Sequence, residues 1–112
     1  MALDDAQQEA YNEFGELVNL TPKQLEEWLA SEESKAVGQK GDGGESVGHE
    51  SGRRIVTLLV RNKADLSGGD LEHMRKVNVY IKRHLAQRPV KEDLPTSKWR
   101  YSLMNWGHDP LK

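Results

Sequence analysis

Apolar side chains along this chain recur at helical spacing, and the pattern is clearest over 66–88 (LSGGDLEHMRKVNVYIKRHLAQR). There Leu71, Met74, Val77, Ile81 and Leu85 fall on one stripe when read at about 3.6 residues per turn. Arg75, Lys76, Lys82 and Arg83 fall roughly opposite, because a step of seven residues returns to nearly the same face. The start is signalled by Ser67 as N-cap, Asp70 as the acidic partner of a capping box, and Leu66 placed to staple onto Leu71. Pro89 ends the pattern.

The remaining segments supply surfaces for this helix. Over 4–18, Ala6, Ala10, Phe14 and Leu17 predict a first helix with acidic residues on its other side, Asp4 and Asp5 suiting its N-terminus. Gly15 weakens it by about 1 kcal/mol relative to Ala. Thr21, Pro22 and Gln24 predict a second start: N-cap, N1 proline and capping box, with Leu20 and Leu25 as the staple. That short helix ends near Ala30 and offers Leu25, Trp28 and Leu29 to the core. Residues 31–44 (SEESKAVGQKGDGG) have no apolar period and predict a flexible loop, most mobile over 33–44. Over 46–62, Ile55, Val56, Leu58, Leu59 and Val60 cover more than half the circumference, which predicts the most buried helix of all. Thr96 or Ser97 caps a last short helix with Trp99, Leu103 and Trp106 in line, closed by Gly107 and Pro110. Strand alternation is absent throughout. The pattern predicts an all-α protein, one small domain over 1–112 with four or five helices and a flexible glycine-rich loop.

Composition narrows the function classes. With 112 residues the chain can bury a modest core, and 36% hydrophobic against 30% charged is wet without forbidding folding. The absence of cysteine excludes disulfides, thiol catalysis and thiolate metal sites, and fits a reducing, cytoplasmic setting. No apolar run approaches the roughly 20 residues that span a bilayer, and no signal-peptide core follows Met1, so no membrane partner is expected. The net charge of −2 conceals a polarity: residues 1–50 carry three Lys/Arg against twelve Asp/Glu, and residues 51–112 carry thirteen against six. Such a division can serve an anionic partner, or simply draw the two halves together across the fold.

Little in the sequence suggests catalysis. The glycine-rich stretch 38–52 contains Lys40 and runs into a helix start, but no strand precedes it and its spacing matches neither nucleotide fingerprint. Gly44, Gly48 and Gly52, four apart, instead leave one bare helix face for close packing, within the fold or against a partner. His49, His73, His84 and His108 show no i, i+4 pair and no HExxH motif, so no metal site is expected. His49 and Glu50 beside Ser51 are the letters of an acid–base site, yet neighbours on a helix point apart. No catalytic residues, cofactor or enzyme activity are therefore expected. The basic groups carry the strongest signal: Arg53 and Arg54 on the third helix, Arg75, Lys76, Lys82 and Arg83 on the fourth, and Lys98 and Arg100 interleaved with Trp99 and Tyr101. Basic residues beside aromatics suit phosphate contact, although Trp99 and Trp106 fit the core better than a stacking platform.

The segments GHESGRRIV (48–56), LEHMRKVNVYIKRHLAQRP (71–89) and WRYSLMNWGHDPLK (99–112) resemble the hallmark segments of a family of small, mostly bacterial proteins catalogued as a domain of unknown function. The resemblance spans nearly the whole chain. It implies no catalytic or ligand residues; members often carry an automatic DNA-binding label. The sequence thus leads to a DNA-associated protein with little sequence specificity, its partner duplex DNA. The alternative is a protein-interaction module using the acidic N-terminal helices or the glycine-lined face.

Overall fold

A computed structural model describes residues 3–36, 47–90 and 93–112. Its elements are α1 (Asp5–Leu17), α2 (Pro22–Leu29), α3 (Glu32–Ala36), α4 (Val47–Val60), α5 (Gly68–Leu85) and α6 (Lys98–Asn105), with single 3₁₀ turns at Lys63–Asp65 and Leu94–Thr96. The fold is all-α, with no strand among the described residues.

Three helix starts close as their sequences dictate. Asp4 and Gln7, Thr21 and Gln24, and Ser67 and Asp70 each form a reciprocal capping box, satisfying first-turn N–H groups that no carbonyl can reach. Ser97 caps α6 by accepting from the Arg100 N–H. At the other end Gly107 takes φ +84, in the left-handed region where only glycine is unstrained. Its carbonyl receives the N–H groups of Asn19 and Leu20 at 3.1 and 3.2 Å. The C-terminal segment is thereby clamped onto the α1–α2 turn. Asn19 exchanges two hydrogen bonds with the Asp109 backbone, and Arg100 grips the Asp109 carboxylate through two N–H groups at 3.1 and 3.0 Å.

The helices pack as two pairs, α1 along α5 and α2 along α4, with α6 touching α2, α3, α4 and α5. Leu71, Met74, Val77 and Ile81 of α5 are buried with Phe14 and Val18, Leu25 and Leu29, Ile55 and Leu58, and Leu103 and Trp106. At roughly 25 cal/mol per Å² of apolar surface removed from water, this shared core is what holds the elements together. A hydrogen bond of 3.1 Å from Asn78 Nδ2 to the Ala10 carbonyl and an ion pair of 2.6 Å between Lys82 and Glu13 tie α5 to α1. Part of the charge division is thus settled inside the fold, acidic α1 against basic α5.

Two expectations change. Within the loop expected over 31–44, Glu32–Ala36 is helical, and Ser34 is fully buried. The cause lies in α6: Asn105 accepts from Ser34 Oγ and Trp28 Nε1 and donates to the Ser34 carbonyl. A polar cluster, rather than an apolar stripe, holds α3 in place. The rest of the expected loop, 37–44, lies outside the described residues. α4 is also less buried than its wide apolar face predicts. Ile55 and Leu58 are core, but Val60 is 68% exposed. Among the described residues α4 has α2 and α6 as its main neighbours, and Val60 is not covered by either.

Gly52 explains part of the glycine spacing. A Cβ there would lie 2.5 Å from the Asn105 carbonyl oxygen and 2.7 Å from a Leu29 methyl. This face is covered by the chain's own α2 and α6, so the close packing is internal at Gly52. Gly44 lies outside the described residues.

Candidate nucleic-acid interface

The side of α5 away from the core carries the basic residues, and the fold divides them into two edges. Arg75 and Lys82 border α1, where Lys82 is paired with Glu13. Lys76 and Arg83 border the other edge, two helical turns or about 10.5 Å apart along the axis. Both line a cleft of about 390 Å³ with Val79, Tyr80, His84, Gln87 and Trp106. Val79, 44% exposed, lies between the two edges. Glu72 is the acidic residue of this exposed face.

Which cations remain available is decided by their neighbours. Arg61 donates to Asp70 Oδ2 at 2.7 Å, and Arg54 reaches the Gly69 carbonyl at 3.2 Å and Asp70 Oδ1 at 3.7 Å. The Ser67 backbone N–H, together with Arg61, lowers the Asp70 pKa against its burial. Arg100 is engaged by Asp109 and the Pro95 carbonyl, which makes it part of the C-terminal clamp. Arg53 lies on the opposite side of α4, lining a cleft with Glu26, Leu29, Ala30, Lys35, Val56 and Thr57. Arg75, Lys76, Arg83 and Lys98 are exposed and make no ion pair among the described residues. The eight basic positions singled out in the sequence therefore do not converge on one patch.

The tryptophans are core. Trp99 and Trp106 are buried, and Trp99 Nε1 donates to the His84 carbonyl at 2.7 Å. Rings flank the Lys76–Arg83 edge all the same. Tyr80 stacks on Trp106 with centroids 4.1 Å apart, His84 stacks on Tyr80 at 5.2 Å, and His73 lies near-parallel to Trp106 at 6.5 Å. Burial raises the Tyr80 pKa and lowers that of His84, so both rings favour their neutral forms.

The sequence did not reveal a second, smaller cavity against this row of rings. Its volume is about 240 Å³, and Glu50, Ser51, Arg54, His73, Lys76 and Trp106 line it. Ser51 Oγ and His73 Nε2 are 3.0 Å apart. Desolvation, then the charges of Arg54 and Lys76, lower the His73 pKa against the pull of Ser51 and Asp70. The serine noted beside His49 and Glu50 thus finds its partner on another helix. The sequence signal was the placing of His73, Tyr80 and His84 at the border of the α5 stripe, with Lys76 three residues from His73. Among the described residues no group of three His, Asp or Glu side chains could hold a metal ion. No helix of the described residues is long and apolar enough to cross a membrane.

No curated protein and no solved structure matches the chain. A family model covers residues 13–104, from within α1 to near the end of α6, and so takes in both edges of α5 and the lining of the adjoining cavity except Trp106. By that match the chain belongs to the family described as "Protein of unknown function (DUF3140)".

Proposed function

We propose that this protein binds duplex DNA through the exposed face of α5, contacting phosphates with little readout of sequence, and that it acts by binding rather than catalysis. The observation that carries this reading is the division among the cations. Arg54, Arg61, Lys82 and Arg100 have acidic partners within the fold, whereas Arg75, Lys76 and Arg83 are exposed on one helix without an ion pair among the described residues. A phosphate backbone rewards unpaired charges most, since each contact releases condensed counterions without first breaking an ion pair. Lys98 can add to the footprint; Arg53 faces elsewhere, and Arg100 serves the fold. Binding chromosomal DNA would place the protein in the cytoplasm of a bacterial cell.

The interaction-module reading rests on the remaining acidic face of α1, where Asp5, Glu9 and Glu16 line a shallow cleft with Glu13. Its other support, the bare glycine face, is filled at Gly52 by the chain itself.

The test is a titration of labelled duplex lacking terminal phosphates, at several salt concentrations. Log K should fall linearly with log salt, and the triple change Arg75→Ala, Lys76→Ala and Arg83→Ala should flatten the slope by roughly three, at about 0.9 per phosphate contact. Lys82→Ala should alter it less, because Lys82 already has Glu13. Absence of binding at low salt, or a slope indifferent to the triple change, overturns the reading.

A further inference from the structure

The cavity between α4 and α5 gathers more anion-binding chemistry than the packing of two helices needs. Ser51 is buried and presents a hydroxyl. His73 presents an imidazole nitrogen 3.0 Å from it, and the guanidinium of Arg54 and the ammonium of Lys76 stand at the same cavity. Besides the Gly69 carbonyl and Asp70, the Arg54 N–H groups have no acceptor among the described residues. The apolar wall is the Trp106 ring, and the one acidic lining residue is Glu50, which is exposed.

We propose that Ser51, Arg54, His73 and Lys76 form a binding site for a phosphomonoester dianion. Arg54 and Lys76 supply two positive charges, and the hydrogen-bonded Ser51–His73 pair adds one donor, the Ser51 hydroxyl when His73 Nε2–H donates to it, a set that matches the acceptor oxygens of a terminal phosphate. A phosphodiester within a strand carries a single charge and is substituted on both sides. The cavity therefore selects against the internal phosphates that the outer face of α5 would hold. The adjoining cleft along Tyr80 shares Lys76 and Trp106 with the cavity and gives the rest of such a ligand a path along a row of rings. The same geometry does not make a nucleophilic serine. Among the described residues no carboxylate hydrogen-bonds to the His73 ring to orient it as a base.

The charges around His73 give the site a direct reporter. Glu50 and Arg54 face it from α4, and Asp70 and Lys76 from its own helix; α6 contributes the uncharged Trp106. Desolvation, then the two cations, favours neutral imidazole at His73. A bound dianion reverses that field and stabilises the imidazolium, so ligand binding and His73 protonation are linked.

The test follows the imidazole proton resonances of the four histidines against pH by NMR, with the His73 signal assigned from His73→Gln. Inorganic phosphate, methyl phosphate and sulfate are added in turn, against chloride at matched ionic strength. Sulfate separates the titration of the protein from that of phosphate, because its charge does not change in this range. The expected result is a rise in the His73 pKa with each dianion while the backbone amide resonances of the C-terminal clamp stay put. Ser51→Ala and Arg54→Ala should each weaken methyl phosphate binding about tenfold, one strong hydrogen bond's worth. A second arm compares single strands ending in 5′-phosphate or 5′-hydroxyl. A preference for the 5′-phosphate, lost in His73→Gln, assigns the site to strand ends. Methyl phosphate binding without that preference assigns it to a free small phosphomonoester. A His73 pKa that no dianion moves overturns the proposal in the unaltered protein, whatever the variants do, and leaves the duplex titration to stand or fall alone.

Discussion

Single positions in this protein are constrained by neighbours far away in the chain. Gly52→Ala drives a methyl into the Asn105 carbonyl, which is backbone and cannot swing aside. It should cost about 1–3 kcal/mol, as overpacking does, and lower the Tm by roughly 5 °C or more. Gly15→Ala is the control: a Cβ there meets nothing within 4 Å, so the change should stabilise α1 by up to about 1 kcal/mol. Thermal melts of both decide it, and equal effects would contradict the packing described. The glycine spacing was visible in the sequence, but its filler was not, because no local pattern says that the end of α6 crosses α4. Ser51 was hidden for the same reason. Its chemistry depends on His73, twenty-two residues later on another helix.

Elements were legible wherever a cap met an apolar period. The starts of α2 and α5 follow from side chains three residues apart and that of α6 from Ser97, whereas the Asp4–Gln7 box of α1 showed only as acidic residues suiting a helix N-terminus; the α5 stripe from Leu71 to Ile81 is the buried stripe. α3 has no such period and exists because Asn105 bonds Ser34, a dependence no window of five residues contains. The basic face was legible only as a helical wheel; its division into paired and unpaired edges depends on which helix lies beside each. Asp70 concentrates several of these roles, capping α5 and pairing with Arg61. Asp70→Ala should therefore cost about 2–3 kcal/mol by urea denaturation, a cap and a charged hydrogen bond together. Because the Asp70 and Asp109 pKa values are lowered in the folded state, the stability they contribute is present above about pH 4 and is lost as pH falls through their folded values.

At the scale of the whole molecule, the charge division serves two ends. Lys82 with Glu13 joins the acidic and basic halves, and the cations left over face outward from α5. His73 and His84 are held neutral mainly by burial, their pKa values lowered on folding. The unfolded chain therefore binds more protons in that window, so stability is complete above about pH 6.5 and declines as pH falls below it. Melts taken on either side of that value should show a lower Tm on the acid side, partly relieved in His73→Gln; a flat profile would contradict the burial of these rings. The most direct test of the central claim is the NMR footprint of duplex DNA on the isotopically labelled protein. Backbone amides around Arg75, Lys76, Val79 and Arg83 should shift progressively with added duplex, while those of α2 stay in place and the shifts vanish at high salt. Perturbations centred on the acidic face of α1 or on the cleft between α2 and α4, or none at low salt, would contradict it.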